Sequence, residues 1–204
     1  MKKSISKNEI TRKLLHLTSI WVVLLYEFIG VLPTFLIVSG ALAIVLLVDI
    51  IRITNTPFKP IVDDLLKHFR FQAMFRANEK HSLNGASYMM ISAFSTIILL
   101  PKAAFLCAFT ILVISDVLAS IVGQLYGEHK VLNKSLEGAA AFLISALIIC
   151  LAFGITYNTR LVPLFVAAFA ATAAELYSKK LRVNDNLLIP IVFGVVWGLV
   201  SKLA

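Results

Sequence analysis

The chain has 204 residues, of which 59% are hydrophobic and only 15% charged, with a formal net charge of +8. A soluble domain of this length needs far more polar surface to cover its core, so a soluble enzyme is excluded. The basic residues lie between apolar runs and not on one polar face, which argues against nucleic acid as a partner and for a role in membrane orientation.

Reading apolar runs and breakers in chain order predicts an all-α, polytopic integral membrane protein with spans at 14–31, 35–52, 86–100, 103–122, 138–156, 161–177 and 187–202. Apolar runs of about 17–25 residues are long enough to cross roughly 30 Å of hydrocarbon. No stretch is left over for a soluble domain, so residues 1–204 read as one transmembrane domain. The first run, Leu14 to Val31, follows a basic stretch as a secretory signal does. It is too long for such a signal and no small-x-small site closes it, so it reads as a first transmembrane helix. Pro33, Pro101 with Lys102, and Asn158 to Arg160 mark short turns.

Between the second and third spans, Ile61, Val62, Leu65, Leu66 and Phe69 share one helical face from Pro60 to Arg70, with Asp63, Asp64, Lys67 and Arg70 on the rest. This predicts an amphipathic helix in the cytoplasmic headgroup region, with an ordinary cytoplasmic hairpin as the alternative. Counting Lys and Arg on alternate sides gives 16 on one side and three on the other, namely Lys102, Arg160 and Lys202. That asymmetry places the N-terminus in the cytoplasm and the C-terminus outside. Cys107 and Cys150 both fall inside apolar runs without metal-ligand spacing and read as small core residues.

Ionisable residues within spans are costly, so each needs a reason. His16, Asp49, Asp116, Glu137 and Glu175 all fall at the cytoplasmic ends of their predicted helices, which suggests one polar site open to the cytoplasm. Glu9, Arg12, Lys13 and His16 form one stripe on the first helix. Arg12 and Lys13 read either as phosphate or headgroup contacts, or as positive-inside anchors with a Glu9–Lys13 pair. Asp49 and Arg52, one turn apart, read equally as an ion pair or as part of a site.

The segment from Asp116 to Gly138 is the most informative. Asp116, Ser120, Gly123 and Gly127 share a helical face, a strip without bulky side chains along which phosphate can approach backbone. Lys130 and Lys134 follow to neutralise it, and Glu137 begins the next span within reach of Asp116 if the two helices pack as a hairpin. Asp116 and Glu137 therefore suit a magnesium ion held by two carboxylates and phosphate oxygens. Gly123-x-x-x-Gly127 reads equally as a helix-packing motif, and Gly194-x-x-x-Gly198 reads as one. A Walker A loop is rejected because the spacing is wrong and no strand precedes the run. Glu175 ends an alanine-rich helix. Asn184-Asp185-Asn186 reads as a helix N-cap or as a further metal or nucleotide contact. Asn84, Gly85 and Tyr88 open the third span with small residues that admit a ligand or a packed helix.

At these residues the chain resembles the CTP-dependent lipid-alcohol kinases: dolichol kinase, phytol kinase and the CTP-using diacylglycerol kinase. Their pattern, Asp-x-x-Ala-Ser-x-x-Gly-x-x-x-Gly-x-x-Lys followed by Lys-Ser/Thr-x-Glu-Gly, is matched by Asp116, Ala119, Ser120, Gly123, Gly127, Lys130, Lys134, Ser135, Glu137 and Gly138. Arg12, Lys13 and His16 resemble the N-terminal Arg-Lys-x-x-His, and Gly85-Ala86-Ser87-Tyr88 resembles a second element. Glu175 with Asp185 and Asn186 resembles a third. Gln124 and Glu128 depart from the pattern where relatives often carry basic residues.

The resemblance implies transfer of the γ-phosphoryl group of CTP to the hydroxyl of a membrane lipid alcohol at the cytoplasmic face, with Mg2+ as cofactor. In that reading Asp116 and Glu137 hold the metal, and Glu175, Asp185 and His16 complete the catalytic set. Ser120, Gly123, Gly127, Lys130, Lys134, Ser135, Gly138, Asn186, Arg12 and Lys13 bind nucleotide, and Asn84, Gly85 and Tyr88 meet the lipid. The alternatives are a cytidylyltransferase forming a CDP-lipid, a small transporter and a structural subunit. Whether the acceptor is a polyprenol, a phytol-like prenol or a diacylglycerol stays open, as does assembly into a homo-oligomer.

Overall fold

The computed structural model describes residues 7–54, 56–68, 82–132 and 134–203. It is nearly all helical: α1 (Lys7–Thr18), α2 (Trp21–Ile29), α3 (Val31–Ile53), α4 (Lys59–His68), α5 (Gly85–Leu99), α6 (Lys102–Thr110), α7 (Asp116–Tyr126), α8 (Leu136–Thr156), α9 (Leu161–Leu181) and α10 (Asp185–Leu203). A π-helical turn, Ile111–Ser115, fuses α6 and α7 into one 25-residue helix. Strands β1 (Lys130–Val131) and β2 (Lys134–Ser135) form a short antiparallel ribbon between α7 and α8.

Among the described residues, five helices are long and apolar enough to cross a membrane: α3, the fused α6–α7, α8, α9 and α10. This is a membrane protein. The apolar run predicted as one first span is two helices, because α1 stops at Thr18 and a turn at Ser19 and Ile20 separates it from α2. Its polar stripe explains the break: α1 is amphipathic and lies against α7, whereas α2, apolar apart from Glu27, packs on α3 and α6. Gly30, at φ +85°, makes the tight joint from α2 to α3, a conformation that side chains resist. α5, at 15 residues, is shorter than the five long helices. Where the amphipathic helix is expected from Pro60 to Arg70, α4 is a helix over Lys59–His68 with no residue buried, while Phe69 and Arg70 lie outside the described residues.

The fused α6–α7 helix is the centre of the bundle. Phe105, Leu106, Phe109, Ile111 and Leu112 on it are inaccessible, and 72% of its most apolar stretch is buried against 11% for α3. The outer helices instead expose Leu36, Ile44, Ile148, Phe169 and Leu199 to the surroundings, as lipid-facing surfaces do. Cys107 and Cys150 are buried free thiols in this core, with their sulfurs 3.6 Å apart. Gly194 meets Leu100, where a Cβ would come within 2.8 Å, but Gly198 faces open space, so only the first glycine of that motif serves packing.

Helix ends are fixed by local chemistry. The Ser135 hydroxyl caps α8 by accepting from the Gly138 N–H at 3.1 Å, and Asn84 caps α5 by accepting from Ser87 at 2.9 Å. Arg182, in the left-handed region at φ +56°, ends α9. At one end of the bundle, Glu27 accepts from Lys102 at 3.1 Å and from the Tyr157 hydroxyl, joining α2, α6 and the close of α8. The ends of α7 and α9 and the starts of α8 and α10 meet at the other, and the polar residues gather there.

Candidate functional site

A cavity of about 870 Å³ opens among α1, α7, the β1–β2 ribbon, α8, α9 and α10. Its charged lining comprises five cations, Arg12, Lys13, Lys130, Lys134 and Lys179, and four carboxylates, Glu9, Asp116, Glu175 and Asp185. In a chain with so little charge, this concentration makes the cavity the candidate functional centre.

Asp116 follows directly on the π-helical turn, whose wider winding interrupts the regular face of α6 and is a feature often seen at functional positions. Lys13 donates to Asp116 Oδ2 at 2.6 Å and lies 3.5 Å from its backbone carbonyl, so α1 is fastened to α7 at this point. The His16 Nε2 donates to the Leu112 carbonyl within the π turn at 3.1 Å, one helical turn behind Lys13. His16 therefore braces α1 and is not among the residues that line the cavity. Arg12 pairs with Glu9 at 2.5 Å, so the expected Glu9–Lys13 pair is replaced by Glu9–Arg12 and Lys13–Asp116.

Lys134 enters from β2 and contacts Glu175 of α9, with Asp185 Oδ2 of α10 at 3.5 Å. Burial works to lower its pKa, but the Asp185 and Glu175 carboxylates outweigh that and raise it above the ordinary lysine value, keeping the amine charged. Lys130 and Lys179 line the same cavity without a carboxylate partner among the described residues. Lys179 is a site residue that the motif missed. It sits one turn after Glu175 on the same face, which the i, i+4 spacing alone would have revealed.

The glycines serve close packing as well as lining the cavity. A Cβ on Gly123 would come within 2.9 Å of the Ser135 hydroxyl, and one on Gly138 within 2.8 Å of the Ala119 carbonyl. One on Gly127 would run into the Gly123 carbonyl. Their bareness lets α7, the ribbon and α8 approach closely around Ser135, as a helix-packing motif does. The same close approach brings Ser120, Gly123, Gly127, Ser135 and Gly138 into the cavity wall. Gln124, where the kinase pattern often has a base, donates to Ser120 Oγ at 2.9 Å.

Several expected residues lie elsewhere. Glu137 is not part of the lining, because its Oε1 accepts from the His129 backbone N–H at 3.1 Å and meets His129 Nδ1 at 2.7 Å. This contact closes the base of the ribbon, so the Asp116–Glu137 pair expected to hold magnesium is not assembled. No group of three or more His, Cys, Asp or Glu side chains with metal-binding geometry occurs among the described residues. Asn84, Gly85 and Tyr88 are also outside the cavity lining. Asn84 donates to Asp49 through its backbone at 2.7 Å and its side chain at 3.0 Å, with Ser87 and Arg52 completing a buried knot. The Asn186 amide donates to the Gly85 carbonyl at 2.8 Å, tying α10 to α5 beside Asp185.

An uncharacterized protein of Rickettsia prowazekii is 36% identical over 187 residues, covering 89% of this chain and 89% of its own length. One from Methanocaldococcus jannaschii is 33% identical over 194 residues, covering 92% of each. This chain belongs to the family of these two proteins. The likeness extends over about nine tenths of the chain. No family model matches the chain, and no solved structure matches it.

Proposed function

We propose that this protein is a membrane-embedded kinase that transfers the γ-phosphoryl group of CTP to the hydroxyl of a lipid alcohol. The observation that carries this reading is the cavity itself: five cations and four carboxylates meet at one end of an otherwise apolar bundle. Phosphoryl transfer depends chiefly on positioning and on electrostatic stabilisation, which such a lining supplies. The match of the Asp116–Gly138 segment to the kinase pattern supports CTP as the donor.

In this reading Lys130, Lys179 and Arg12 offset the charge of the triphosphate, and the glycine-lined wall around Ser135 lets its oxygens come close to backbone. The carboxylates available to hold magnesium are Asp116, Glu175 and Asp185, since Glu137 is committed to His129. The buried Glu175 Oε2, which has no donor among the described residues, is an oxygen that such an ion fits. Bound there, magnesium would neutralise charge on the transferred group. Lys13 pairs with Asp116 at 2.6 Å, and both line the cavity. The lipid hydroxyl enters sideways between helices while its tail stays among exposed Leu, Ile, Val and Phe side chains.

The membrane arrangement proposed with this function has seven crossings, counting the broken α1–α2 and the short α5 with the five long helices. The 16-to-three division of Lys and Arg supports a cytoplasmic N-terminus, with the cavity facing the cytoplasm where CTP is present. The apolar side chains of α4, Ile61 and Leu65, are exposed and suit the headgroup region.

The test is incubation of the purified protein with γ-labelled CTP or ATP and a panel of polyprenol, phytol-like prenol and diacylglycerol acceptors. Label is expected to enter one lipid class from CTP. No transfer to any acceptor from either nucleotide would remove the proposal.

A further inference from the structure

The carboxylates at the deep end of the cavity are unevenly satisfied. Asp116 has Lys13 to itself at 2.6 Å. Glu175 and Asp185 share one ammonium, that of Lys134, which contacts Glu175 Oε1 and lies 3.5 Å from Asp185 Oδ2. The Glu175 side chain is only 5% exposed, yet its Oε2 meets no donor among the described residues. A buried carboxylate oxygen left without a partner costs about 1–3 kcal/mol or more, and it calls for a group that fills the place.

The two carboxylates are set by backbone. Glu175 stands near the end of α9 and Asp185 opens α10, and the left-handed Arg182 fixes the turn between those helices. Lys134 is the adaptable partner. It reaches in on a flexible four-carbon stem from the ribbon, and an ammonium is a compact point charge. It therefore stands where a small metal cation would stand.

We propose that Glu175 and Asp185 form a divalent-cation site that the Lys134 ammonium fills in the resting protein, so that cation and lysine compete for the same two carboxylates. Magnesium-like cations bind through one or two carboxylates and keep several waters, which is the donor number offered here. The spare Glu175 Oε2 gives the incoming ion a ligand that Lys134 does not use. The displaced ammonium remains in the cavity, free to meet an anion. The inference rests on the proposed function for the identity of that anion, a polyphosphate. The exchange itself requires no nucleotide.

The test uses the full chain in detergent with Mn2+ as the probe, and free ion is followed by electron paramagnetic resonance. Lys134→Met is expected to bind Mn2+ about tenfold more tightly than the wild type, because a competing charge is gone. Adding Glu175→Gln is expected to abolish that gain. Equal affinity in Lys134→Met and wild type, or a gain that survives Glu175→Gln, would overturn the site. Should Lys134→Met fail to fold, acetylation of the wild type read by mass spectrometry gives the same answer. Lys134 reactivity should rise severalfold with Mn2+ relative to Lys59, and no rise would contradict the exchange. Neither readout involves CTP or lipid. A protein that phosphorylates nothing can still pass, and an active kinase can still fail.

Discussion

Asp49 and Glu175 are both nearly inaccessible carboxylates close to helix ends, but their surroundings are opposite. Asp49 receives five donors: Arg52 at 3.0 and 3.2 Å, the Asn84 side chain at 3.0 Å, the Asn84 backbone at 2.7 Å and Ser87 at 2.7 Å. Glu175 receives one ammonium and keeps a buried oxygen with no donor among the described residues. The first centre is closed and ties α3 to α5. The second opens into a cavity beside Lys130 and Lys179, which have no carboxylate partner among the described residues. Burial of a charge therefore does not distinguish the two; incomplete satisfaction beside open space does.

Substitutions can break this contrast. The largest effect is expected for Asp116→Asn, which should lower turnover by about a thousandfold or more while the protein still elutes as a folded, monodisperse species. Substantial activity in that variant would remove Asp116 from the chemistry. Asp49→Ala should do the reverse. It leaves Arg52 and Asn84 without their acceptor and is expected to cost about 3–5 kcal/mol of stability in a detergent melt. The activity of whatever remains folded should stay near that of the wild type.

Smaller effects sharpen the comparison. Lys179→Ala should raise the KM for CTP by about tenfold, the loss of one charge-assisted phosphate contact, with a lesser effect on kcat. Glu137→Gln should change turnover by less than about threefold, because its carboxylate serves the ribbon and not the cavity. A loss as deep as that of Asp116→Asn would return Glu137 to the catalytic set. Lys134 predicts the form of the pH dependence. Its folded pKa is raised, so its contribution to stability is complete below the ordinary lysine value and is lost only as pH climbs through the higher folded value. The melting temperature should show no loss from this pair between about pH 7 and 10.

Much of this was legible in the sequence. Apolar run length gave the long helices, and the ionisable residues within or beside them, Asp116 and Glu175, pointed to the cavity because charge in an apolar span needs a reason. Lys134 was reached as a cation beside the glycine strip, and Asp185 as a helix cap or a metal or nucleotide contact. What failed did so for identifiable causes. The break between α1 and α2 was hidden because no glycine or proline marks it; only the polar stripe on α1 hinted that this helix lies against α7. Spacing placed Glu137 near Asp116, but it could not show that His129, eight residues away, would take the carboxylate. The Asn84 knot was invisible because it joins residues 35 apart across a polar connection. The glycine strip admitted two readings, and its neighbours support packing around Ser135 while leaving the glycines in the cavity wall.

The most direct test of the account is a paired labelling experiment with CTP carrying the label at either the γ or the α phosphate. With an accepted lipid alcohol, the γ label is expected in the lipid product and the α label in CDP, with Asp116→Asn giving neither. The α label in the lipid, with pyrophosphate released, would contradict the kinase and identify a cytidylyltransferase instead.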